Sequence, residues 1–251
     1  GSGGVVTALS GLCRYLDLDW VASAMKDGDR RMARQQNGSF RVSLTDADIS
    51  LRLIVNSRAV YHKHYSVFCN PLLWFIQHYM WNWSRTPNID ASVYDAWENG
   101  YKKVNRSFAD AILEQASTDS GRAAVIIHDY HLYLAPAFIK ESMPHIPVQH
   151  FIHIPWPSPR YWQLLPRHMR DEIISSLCCS DIVGLQTRRD VDNFLLCCHY
   201  FFPEADVNYN TATVERNGHL TQVKAYPISV DVQGLTKTAD SPAVLEYEQK
   251  I

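Results

Sequence analysis

The chain has 251 residues, 46% of them hydrophobic, and its 24 basic and 26 acidic residues give a formal net charge of −2. This balance excludes a dedicated nucleic-acid or membrane-surface binder, which would carry an excess of basic residues. No apolar run reaches about 18 residues, so no membrane span is expected, and the first residues show no secretory signal. A chain of this length can bury a large core without cross-links.

Six cysteines are present, and four of them form adjacent pairs at positions 178–179 and 197–198. Neighbouring residues on a helix point about 100° apart, so neither pair is a C-x-x-C metal clip. We interpret them as small apolar core residues. This number of free thiols is typical of a reducing, cytoplasmic setting. The sequence predicts no metal site and no cofactor.

The first 115 residues are predicted to hold helices and short strands in irregular order. Asp27-Gly28-Asp29 signals a turn inside a polar stretch. Pro71 is expected to break the aromatic-rich stretch 60–83 into two short helices. The other elements predicted here are a helix over 5–15, strands over 20–22, 40–44 and 49–55, and a helix over 94–115.

From residue 123 onward, apolar strands alternate regularly with helical stretches. Short, mostly apolar strands with helices between them indicate a parallel sheet covered on both faces. The predicted fold class is therefore α/β, with a doubly wound, mostly parallel and Rossmann-like sheet. The predicted strands are 123–127, 148–152 and 182–185, and the predicted helices are 132–141, 167–177 and 188–200.

The last part of the chain is predicted to form a hairpin over 214–220 around an Asn217-Gly218 turn, followed by a last strand over 224–228. We assign residues 1–235 to one N-terminal domain and residues 236–251 to a tail or linker. A doubly wound domain usually opens with a strand that leads into its glycine loop. This sequence starts at the loop, so the first strand of the sheet is expected to be missing.

Polar residues follow three predicted strands at the point where each strand ends. His128 and Asp129 follow the first strand, His153 the second, and Gln186 with Thr187 the third. Ligands of doubly wound sheets bind outside the carboxyl ends of the strands. Ionisable and aromatic side chains at one edge are suited to a sugar-binding cleft. A structural role is the alternative for the histidine, and both interpretations stay open for the aspartate.

Two further features are ambiguous when taken alone. Gly3-Gly4 opens a helix and could bring backbone N–H groups to a phosphate, although a Gly-Ser-Gly start is also typical of a cloning remnant. Tyr65 and Trp74 lie among many aromatic residues, where a core position is the alternative to a ligand-binding one.

Four stretches together resemble the trehalose-6-phosphate synthases, glycosyltransferase family 20, which have the GT-B fold. They occur in the family's order, and the combination is highly specific although each stretch alone is not. Gly3-Gly4 continues into the family's Gly-Gly-x-x-Thr-Ala-Leu pattern, which favours a functional loop. The four stretches are 3–9 (GGVVTAL), 65–79 with its central NPLLW, 128–132 (HDYHL) and 151–159 (FIHIPWPSP).

The resemblance implies a retaining glycosyltransferase that moves a glucosyl unit from UDP- or GDP-glucose to a sugar phosphate. The product would be trehalose 6-phosphate or a close analogue. The partners implied are a nucleotide-sugar donor and a sugar-phosphate acceptor, and a homo-oligomer is compatible with them. Such enzymes act without a covalent nucleophile, so catalysis would consist mainly of positioning and charge stabilisation.

The resemblance also implies roles for individual residues. The Gly3-Gly4 loop would face the diphosphate of the donor. His153 would hydrogen-bond the donor sugar near its reacting carbon. Asp129 would contact the acceptor near its attacking hydroxyl. Tyr65 and Trp74 would line the acceptor pocket.

The sequence departs from the family's pattern in two ways. The family's W-x-G-W pattern, whose second aromatic residue touches the acceptor, is replaced here by Trp20-Val21-Ala22-Ser23. The groups that neutralise the donor diphosphate lie in the family's C-terminal domain, so residues 1–251 alone are expected to be inactive. Three alternatives therefore stay open: a glucosylglycerol-phosphate synthase, a cyclitol-coupling pseudo-glycosyltransferase, and a non-catalytic sugar-phosphate-binding domain.

Overall fold

The computed structural model describes residues 18–35, 39–44, 47–80, 89–118, 123–229, 232–248 and 250. Within these residues the chain forms helices and two β-sheets, which confirms the predicted α/β class. The helix predicted over 5–15 lies outside the described residues. None of the helices described here is long and apolar enough to cross a membrane.

The larger sheet has six strands. Its strands are β4 (Val125–His128), β5 (Val148–Phe151), β6 (Ile182–Leu185), β7 (Asp206–Asn208), β8 (Thr213–Arg216) and β9 (His219–Ala225). Their order is β4-β5-β6-β9-β8-β7. The first four strands are parallel, β8 pairs in antiparallel with β9, and β7 pairs in antiparallel with β8. The three apolar strands predicted after residue 123 are confirmed as β4, β5 and β6. The short strand β7 was not predicted.

The smaller sheet confirms the three strands predicted before residue 60. Its strands are β1 (Asp19–Ser23), β2 (Ser39–Leu44) and β3 (Ala47–Ile54). In the order β1-β3-β2, strand β3 pairs in parallel with β1 and in antiparallel with β2. Strand β2 is therefore an edge strand, as its alternation of apolar and polar residues predicts.

The turn predicted at Asp27-Gly28-Asp29 is wrong, because these residues begin helix α1 (Asp27–Gln35). The carboxylate of Asp29 accepts hydrogen bonds from the backbone N–H groups of Met25 and Lys26, at 3.1 and 2.8 Å. Acidic residues in the first turn also interact favourably with the helix dipole. These local contacts outweigh the turn preference of the Asp-Gly pair.

Helices account for most of the remaining described residues. They are α2 (Arg58–His62), π1 (Lys63–Trp74), α3 (Phe75–Gln77), α4 (Ala91–Ala96), π2 (Trp97–Tyr101), α5 (Lys102–Thr118), α6 (Ala135–Ser142), α7 (Pro159–Trp162), α8 (Arg167–Leu177), α9 (Arg188–Phe201), α10 (Val232–Ala239) and α11 (Pro242–Glu248). The helices predicted over 94–115, 132–141, 167–177 and 188–200 are confirmed in position.

The break predicted at Pro71 is wrong, because α2, π1 and α3 follow one another without interruption. Pro71 lies inside π1, which is a π-helix. In a π-helix each backbone N–H group donates to the carbonyl five residues earlier. In an α-helix the proline ring would clash with the carbonyl four residues earlier. The wider π turn moves that carbonyl away, so the helix continues past the proline.

The two π-helical segments, π1 and π2, pack against each other with their backbones close together. Gly100 of π2 is buried against π1, and a Cβ added to it would lie 2.6 Å from the Cβ of Lys63 and 2.7 Å from the backbone nitrogen of His64. Only a residue without a side chain fits at this distance. Gly100 therefore sets how closely π2 packs against the helix that carries Tyr65 and Trp74.

One large hydrophobic core joins the helices to the larger sheet. Phe68 of π1 packs against Trp97 and Tyr101 of π2, with ring centroids 5.1 and 4.7 Å apart. The predicted core position of the paired cysteines is confirmed for three of them, whereas Cys179 is only partly buried. With Cys69, four cysteines are buried as free thiols. These four are Cys69, Cys178, Cys197 and Cys198.

The predicted Asn-Gly hairpin is confirmed between β8 and β9. Asn217 and Gly218 have φ angles of 52° and 74°, which a two-residue hairpin turn requires at both central positions. The separate strand predicted over 224–228 is wrong, because β9 continues from the hairpin to Ala225 and itself pairs with β6. The predicted tail contains helix α11 and the second half of α10, and the domain boundary at residue 235 stays a prediction.

Candidate active site

The candidate site lies where the neighbouring parallel strands β4 and β5 end. His128 ends β4 and is paired with Phe151, the last residue of β5. Asp129 follows at once, and its backbone N–H donates to the carbonyl of Phe151 at 2.7 Å. His153 follows β5 by two residues. The structure therefore brings together the polar residues that follow these two strands.

The carboxyl group of Asp129 is hydrogen-bonded to the loop that carries His153. The backbone N–H of His153 donates to Oδ1 of Asp129 at 3.3 Å. Burial raises the pKa of this carboxyl from its ordinary value of 3.8 to about 6, although backbone N–H groups partly oppose the rise. At neutral pH the group is mostly ionised. It can accept a hydrogen bond from a hydroxyl or stabilise nearby positive charge.

The backbone of Asp129 is strained. Its φ of 67° and ψ of 177° form a combination that residues with a side chain seldom adopt, and which costs roughly 1–3 kcal/mol. The fully buried ring of His150 holds it in place, because Nε2 donates to the carbonyl of Asp129 at 3.0 Å. Burial lowers the pKa of His150 to about 3, so the ring is neutral. Strain that the surroundings enforce in this way is typical of functional positions.

The ring of His153 is held by a second histidine. Nε2 of His153 lies 3.0 Å from Nδ1 of His128, at hydrogen-bonding distance. The His153 ring also packs edge-on against Phe151, with centroids 4.7 Å apart. Burial lowers the pKa of His128 to about 4 and also lowers that of His153. Both rings are therefore neutral at neutral pH.

Tyr65 reaches the same edge of the sheet from π1. Its ring is stacked on that of His131, with centroids 5.7 Å apart and an angle of 11° between the planes. It also stacks on Tyr61, with ring centroids 5.6 Å apart. Tyr65 is only partly buried. An accessible aromatic ring beside the Asp129 loop is suited to contact a sugar ring.

The remaining predicted site residues are not joined to this cluster by the described contacts. Trp74 is partly buried, and its ring packs against Phe75 and His78, with centroids 5.1 and 4.1 Å apart. Nδ1 of His78 donates to the carbonyl of Trp74 at 2.7 Å. Gly3 and Gly4 lie outside the described residues. Their predicted contact with a diphosphate stays a prediction.

Asn105 fixes the loop that follows Asp129. This buried side chain donates to the carbonyls of Tyr101 and His131, at 2.9 and 3.1 Å. It also accepts hydrogen bonds from the N–H groups of Leu134 and Ala135, at 2.9 and 3.2 Å. Three of these four hydrogen bonds, those with His131, Leu134 and Ala135, tie the loop to helix α5.

Asp190 fixes the loop that follows His153. Its Oδ1 accepts from the backbone N–H of the buried Trp156 at 2.9 Å. Its Oδ2 accepts from the N–H and the hydroxyl of Thr187, at 3.2 and 2.5 Å, as part of the cap of helix α9. Gln186 accepts a hydrogen bond from the backbone N–H of Ile228 at 3.0 Å. The polar pair predicted after the third strand is thus engaged in structural contacts.

Sequence reasoning did not identify His150, Asn105 or Asp190 as parts of the site. Two of them carry signals that the sequence offers. A histidine inside the apolar strand β5 needs a buried hydrogen-bond partner. An acidic residue three positions after Thr187 matches a capping box. Asn105 carries only the weaker signal of a polar residue within a helix of apolar spacing.

Comparison with known proteins decides the family. Residues 1–251 match the model described as Glycosyltransferase family 20. The chain belongs to this family. The match confirms the resemblance that the four sequence stretches carry, and it places Asp129 and His153 in a chain of known family.

Three similar proteins illustrate the match. The chain is 31% identical over 229 residues, 91% of its length, to a Validamine 7-phosphate valienyltransferase from Streptomyces hygroscopicus, of which it covers 45%. It is 27% identical over 250 residues, 99% of its length, to a probable alpha,alpha-trehalose-phosphate synthase [UDP-forming] from Arabidopsis thaliana, of which it covers 29%. A solved trehalose-6-phosphate structure from E. coli, bound with UDP-2-fluoro glucose, is 23% identical with a TM-score of 0.79.

That structural similarity extends over 99% of this chain and 52% of the E. coli chain. It confirms the predicted fold, a Rossmann-like domain of the GT-B type. The chain spans about half the length of the Streptomyces and E. coli proteins, and less of the Arabidopsis one.

Proposed function

We propose that the protein is a retaining glycosyltransferase that moves a glucosyl unit from a nucleotide sugar to a sugar phosphate. The single observation that carries this proposal is the meeting of Asp129 and His153 at the ends of two parallel strands, in a chain of glycosyltransferase family 20. One group is an accessible imidazole and the other a carboxylate in a fixed, strained backbone. Together they offer one hydrogen-bonding group and one negative charge to a shared space.

In this proposal His153 binds the donor sugar near its reacting carbon. A neutral imidazole suits this role because it hydrogen-bonds a hydroxyl without placing a positive charge beside a carbon that becomes positive. UDP-glucose is the donor that we favour, since the Arabidopsis relative is described as UDP-forming. The Gly3-Gly4 loop would receive the diphosphate.

Asp129 and Tyr65 would bind the acceptor, with Trp74 further along the same helix. The Asp129 carboxylate accepts a hydrogen bond from the attacking hydroxyl and orients it. The partly exposed ring of Tyr65, which stacks on His131 and on Tyr61, would contact the sugar through the part of the ring that these neighbours leave exposed. These contacts place the acceptor against the donor, and such positioning is a large part of catalysis by proximity.

The transfer breaks the bond between the anomeric carbon and the diphosphate oxygen and forms a bond from the acceptor oxygen on the same face. The electron pair of the broken bond leaves with the diphosphate, whose oxygen takes the proton of the attacking hydroxyl. The sugar passes through an oxocarbenium-like state, and the Asp129 carboxylate stabilises its positive charge. No covalent bond to the protein is needed.

The acceptor is the part of the proposal for which a second candidate has support. The 31% identical relative is described as acting on validamine 7-phosphate, and Ser23 stands where the family resemblance leads us to expect an aromatic residue. A cyclitol phosphate is therefore the second candidate, after glucose 6-phosphate.

The test is a transfer assay with the protein at its natural length. UDP-glucose and GDP-glucose are each supplied with glucose 6-phosphate, glycerol 3-phosphate or a cyclitol phosphate, and both nucleoside diphosphate release and the glycosylated product are measured. We expect release that depends on an acceptor and a product with the α-configuration retained. Binding of a sugar phosphate without any turnover would instead establish a non-catalytic binding domain.

A further inference from the structure

The ring contact between His128 and His153 constrains the position of a single proton. Nδ1 of His128 and Nε2 of His153 lie 3.0 Å apart. A hydrogen bond at this distance needs one nitrogen that carries hydrogen and one that does not. Two neutral imidazoles satisfy this condition, whereas two protonated ones would place two N–H groups against each other.

The bond therefore determines what the other nitrogen of His153 can do. If His128 donates, Nε2 of His153 carries no hydrogen and Nδ1 must carry it. If His153 donates, its Nδ1 becomes an acceptor. In either case the hydrogen bond couples the tautomer of His153 to that of His128, so that neither ring can change its tautomer alone without losing the bond. Within the part of the chain that the structure describes, Nδ1 of His153 has no hydrogen-bond partner, so it is available to a ligand.

The surrounding residues restrict the ring of His153 to this contact. Phe151 packs edge-on against it at 4.7 Å. The position of Phe151 in turn depends on Gly184, because a Cβ at that residue would lie 2.7 Å from the Phe151 ring. The backbone of His153 is held separately, by the carboxylate of Asp129. Packing sets the position of the ring, and among the contacts of the described residues only that with His128 distinguishes its two nitrogens.

We propose that His128 is a positioning residue that fixes the orientation and the tautomer of His153 for contact with the donor sugar. The role in donor binding rests on the proposed function. The locked tautomer itself does not, because it is a property of the protein without substrate. His128 acts through His153 and is not proposed to touch either substrate.

Two variants separate the hydrogen bond from the ring of His128. His128→Phe keeps a ring of similar size and removes the nitrogen. His128→Asn loses the ring but places a polar atom near the position of Nδ1. The matched control is His145→Phe, since His145 is exposed in the turn between α6 and β5.

The first measurement is the long-range ¹H–¹⁵N correlation spectrum of histidine side chains in the purified protein without ligand. We expect one tautomer for His153 in the wild type, a tautomer mixture in His128→Phe, and a return to one tautomer in His128→Asn. The control should leave the His153 signals unchanged. A His153 ring that keeps a single tautomer in His128→Phe would overturn the proposal.

The second measurement is transfer activity at the protein's natural length. We expect His128→Phe to lower kcat/KM for the donor by about 10–100-fold, as loss of a supporting hydrogen bond does, with the acceptor KM unchanged. His128→Asn should recover most of this loss. An equal loss in both variants, with each folded, would show a structural role only. If the wild type transfers no sugar while the spectra behave as expected, the proposed function fails and the locked tautomer stands.

Discussion

Replacing Asp129 by asparagine separates the charge of this side chain from its shape. Asparagine keeps an oxygen that can accept the N–H of His153, as Oδ1 of Asp129 does at 3.3 Å. It also tolerates a positive φ better than most residues, and φ is 67° here. The substitution should therefore leave the loop in place and remove only the negative charge.

The change in stability follows from the pKa of the carboxyl. Burial raises this pKa from 3.8 to about 6, a difference that corresponds to about 3 kcal/mol, at about 1.4 kcal/mol for each tenfold change in proton affinity. The folded protein binds this proton more tightly than the unfolded chain does. The wild type therefore loses stability as the pH rises from about 4 to about 6, and the loss stays constant above that range.

Asp129→Asn should consequently be at least as stable as the wild type at pH 7, with a gain of up to about 3 kcal/mol. The gain should shrink as the pH falls and approach zero only below the ordinary pKa of 3.8, where the aspartate is protonated in both states. Its activity should nevertheless fall by roughly 10²-fold or more, as loss of one positioned charged group usually causes. A variant that gains stability and loses function is expected where the charge of a catalytic group is buried at a cost in stability.

The stability assay is chemical denaturation of both proteins between pH 4 and pH 8, and the activity assay is sugar transfer at saturating substrates. The matched control is Asp110→Asn, because Asp110 is exposed on helix α5. The control should change neither the pH dependence nor the rate. A flat stability difference across the pH range would refute the buried-charge argument, and near wild-type activity would refute the catalytic role.

Three other predictions concern the fold, the acceptor and the pH dependence. Gly100→Ala should destabilise the protein by about 1–3 kcal/mol in denaturation experiments, because its Cβ would overlap backbone atoms of π1. Gly28→Ala, with nothing within 4 Å, is the control and should not. Ser23→Trp should shift selectivity towards glucose 6-phosphate by up to about 10–200-fold, and unchanged selectivity in an active variant would exclude Ser23 as a determinant. Burial lowers the pKa values of four histidines to about 3–4, so melting temperature should fall as the pH drops from about 6.5 to about 4, in Asp129→Asn as well as in the wild type. These histidines are His64, His128, His131 and His150.

The larger sheet was predictable because its signals are local. Strands β4 and β6 are short, mostly apolar runs followed by polar residues, which is typical of parallel sheets. Strand β5 follows this pattern less closely, because Gln149 and His150 lie within it. The Asn217-Gly218 turn was predictable for a similar reason, since both residues tolerate the positive φ that the hairpin needs. Where one short segment contains the whole physical cause, the sequence is sufficient.

The helical region was less predictable because competing contacts decide it, local ones at Asp29 and distant ones at π1. Pro71 and the Asp27-Gly28 pair carry strong local signals for a break and a turn, and both signals were overruled. The position of π1 depends on Gly100, which lies in a different helix, π2. The missing side chain of Gly100 leaves room for the backbone of π1. The effect of such a residue on a distant segment cannot be predicted from the residues next to it in the sequence.

The candidate site also has a part that the sequence predicts and a part that it does not. Asp129 and His153 were predictable, because the carboxyl ends of adjacent parallel strands meet at one edge. The residues that hold them were not. The contact of His150 with the carbonyl of Asp129 and the contact of His128 with His153 depend on the register between β4 and β5. That register exists only in the folded sheet.

These supporting residues also explain the electrostatic character of the site. The imidazoles of His128, His131 and His150 surround or support the Asp129 loop, and burial keeps all three neutral at neutral pH. Among the described residues, burial and backbone N–H groups alone account for the shifted pKa of Asp129. No described cation offsets its charge.

The ionised carboxylate of Asp129 consequently destabilises the protein without substrate. A cation beside it would stabilise the ionised form. A neutral donor sugar interacts only weakly with the carboxylate. The oxocarbenium-like transition state carries a positive charge, so its electrostatic attraction to the carboxylate is stronger. An interaction that strengthens only as the transition state forms is the kind that raises kcat rather than merely tightening binding. A histidine protonated beside Asp129 would cancel this advantage by neutralising the charge beforehand. The burial that keeps these imidazoles neutral therefore contributes to the proposed catalysis, because it leaves the charge of the carboxylate uncompensated until the transition state forms.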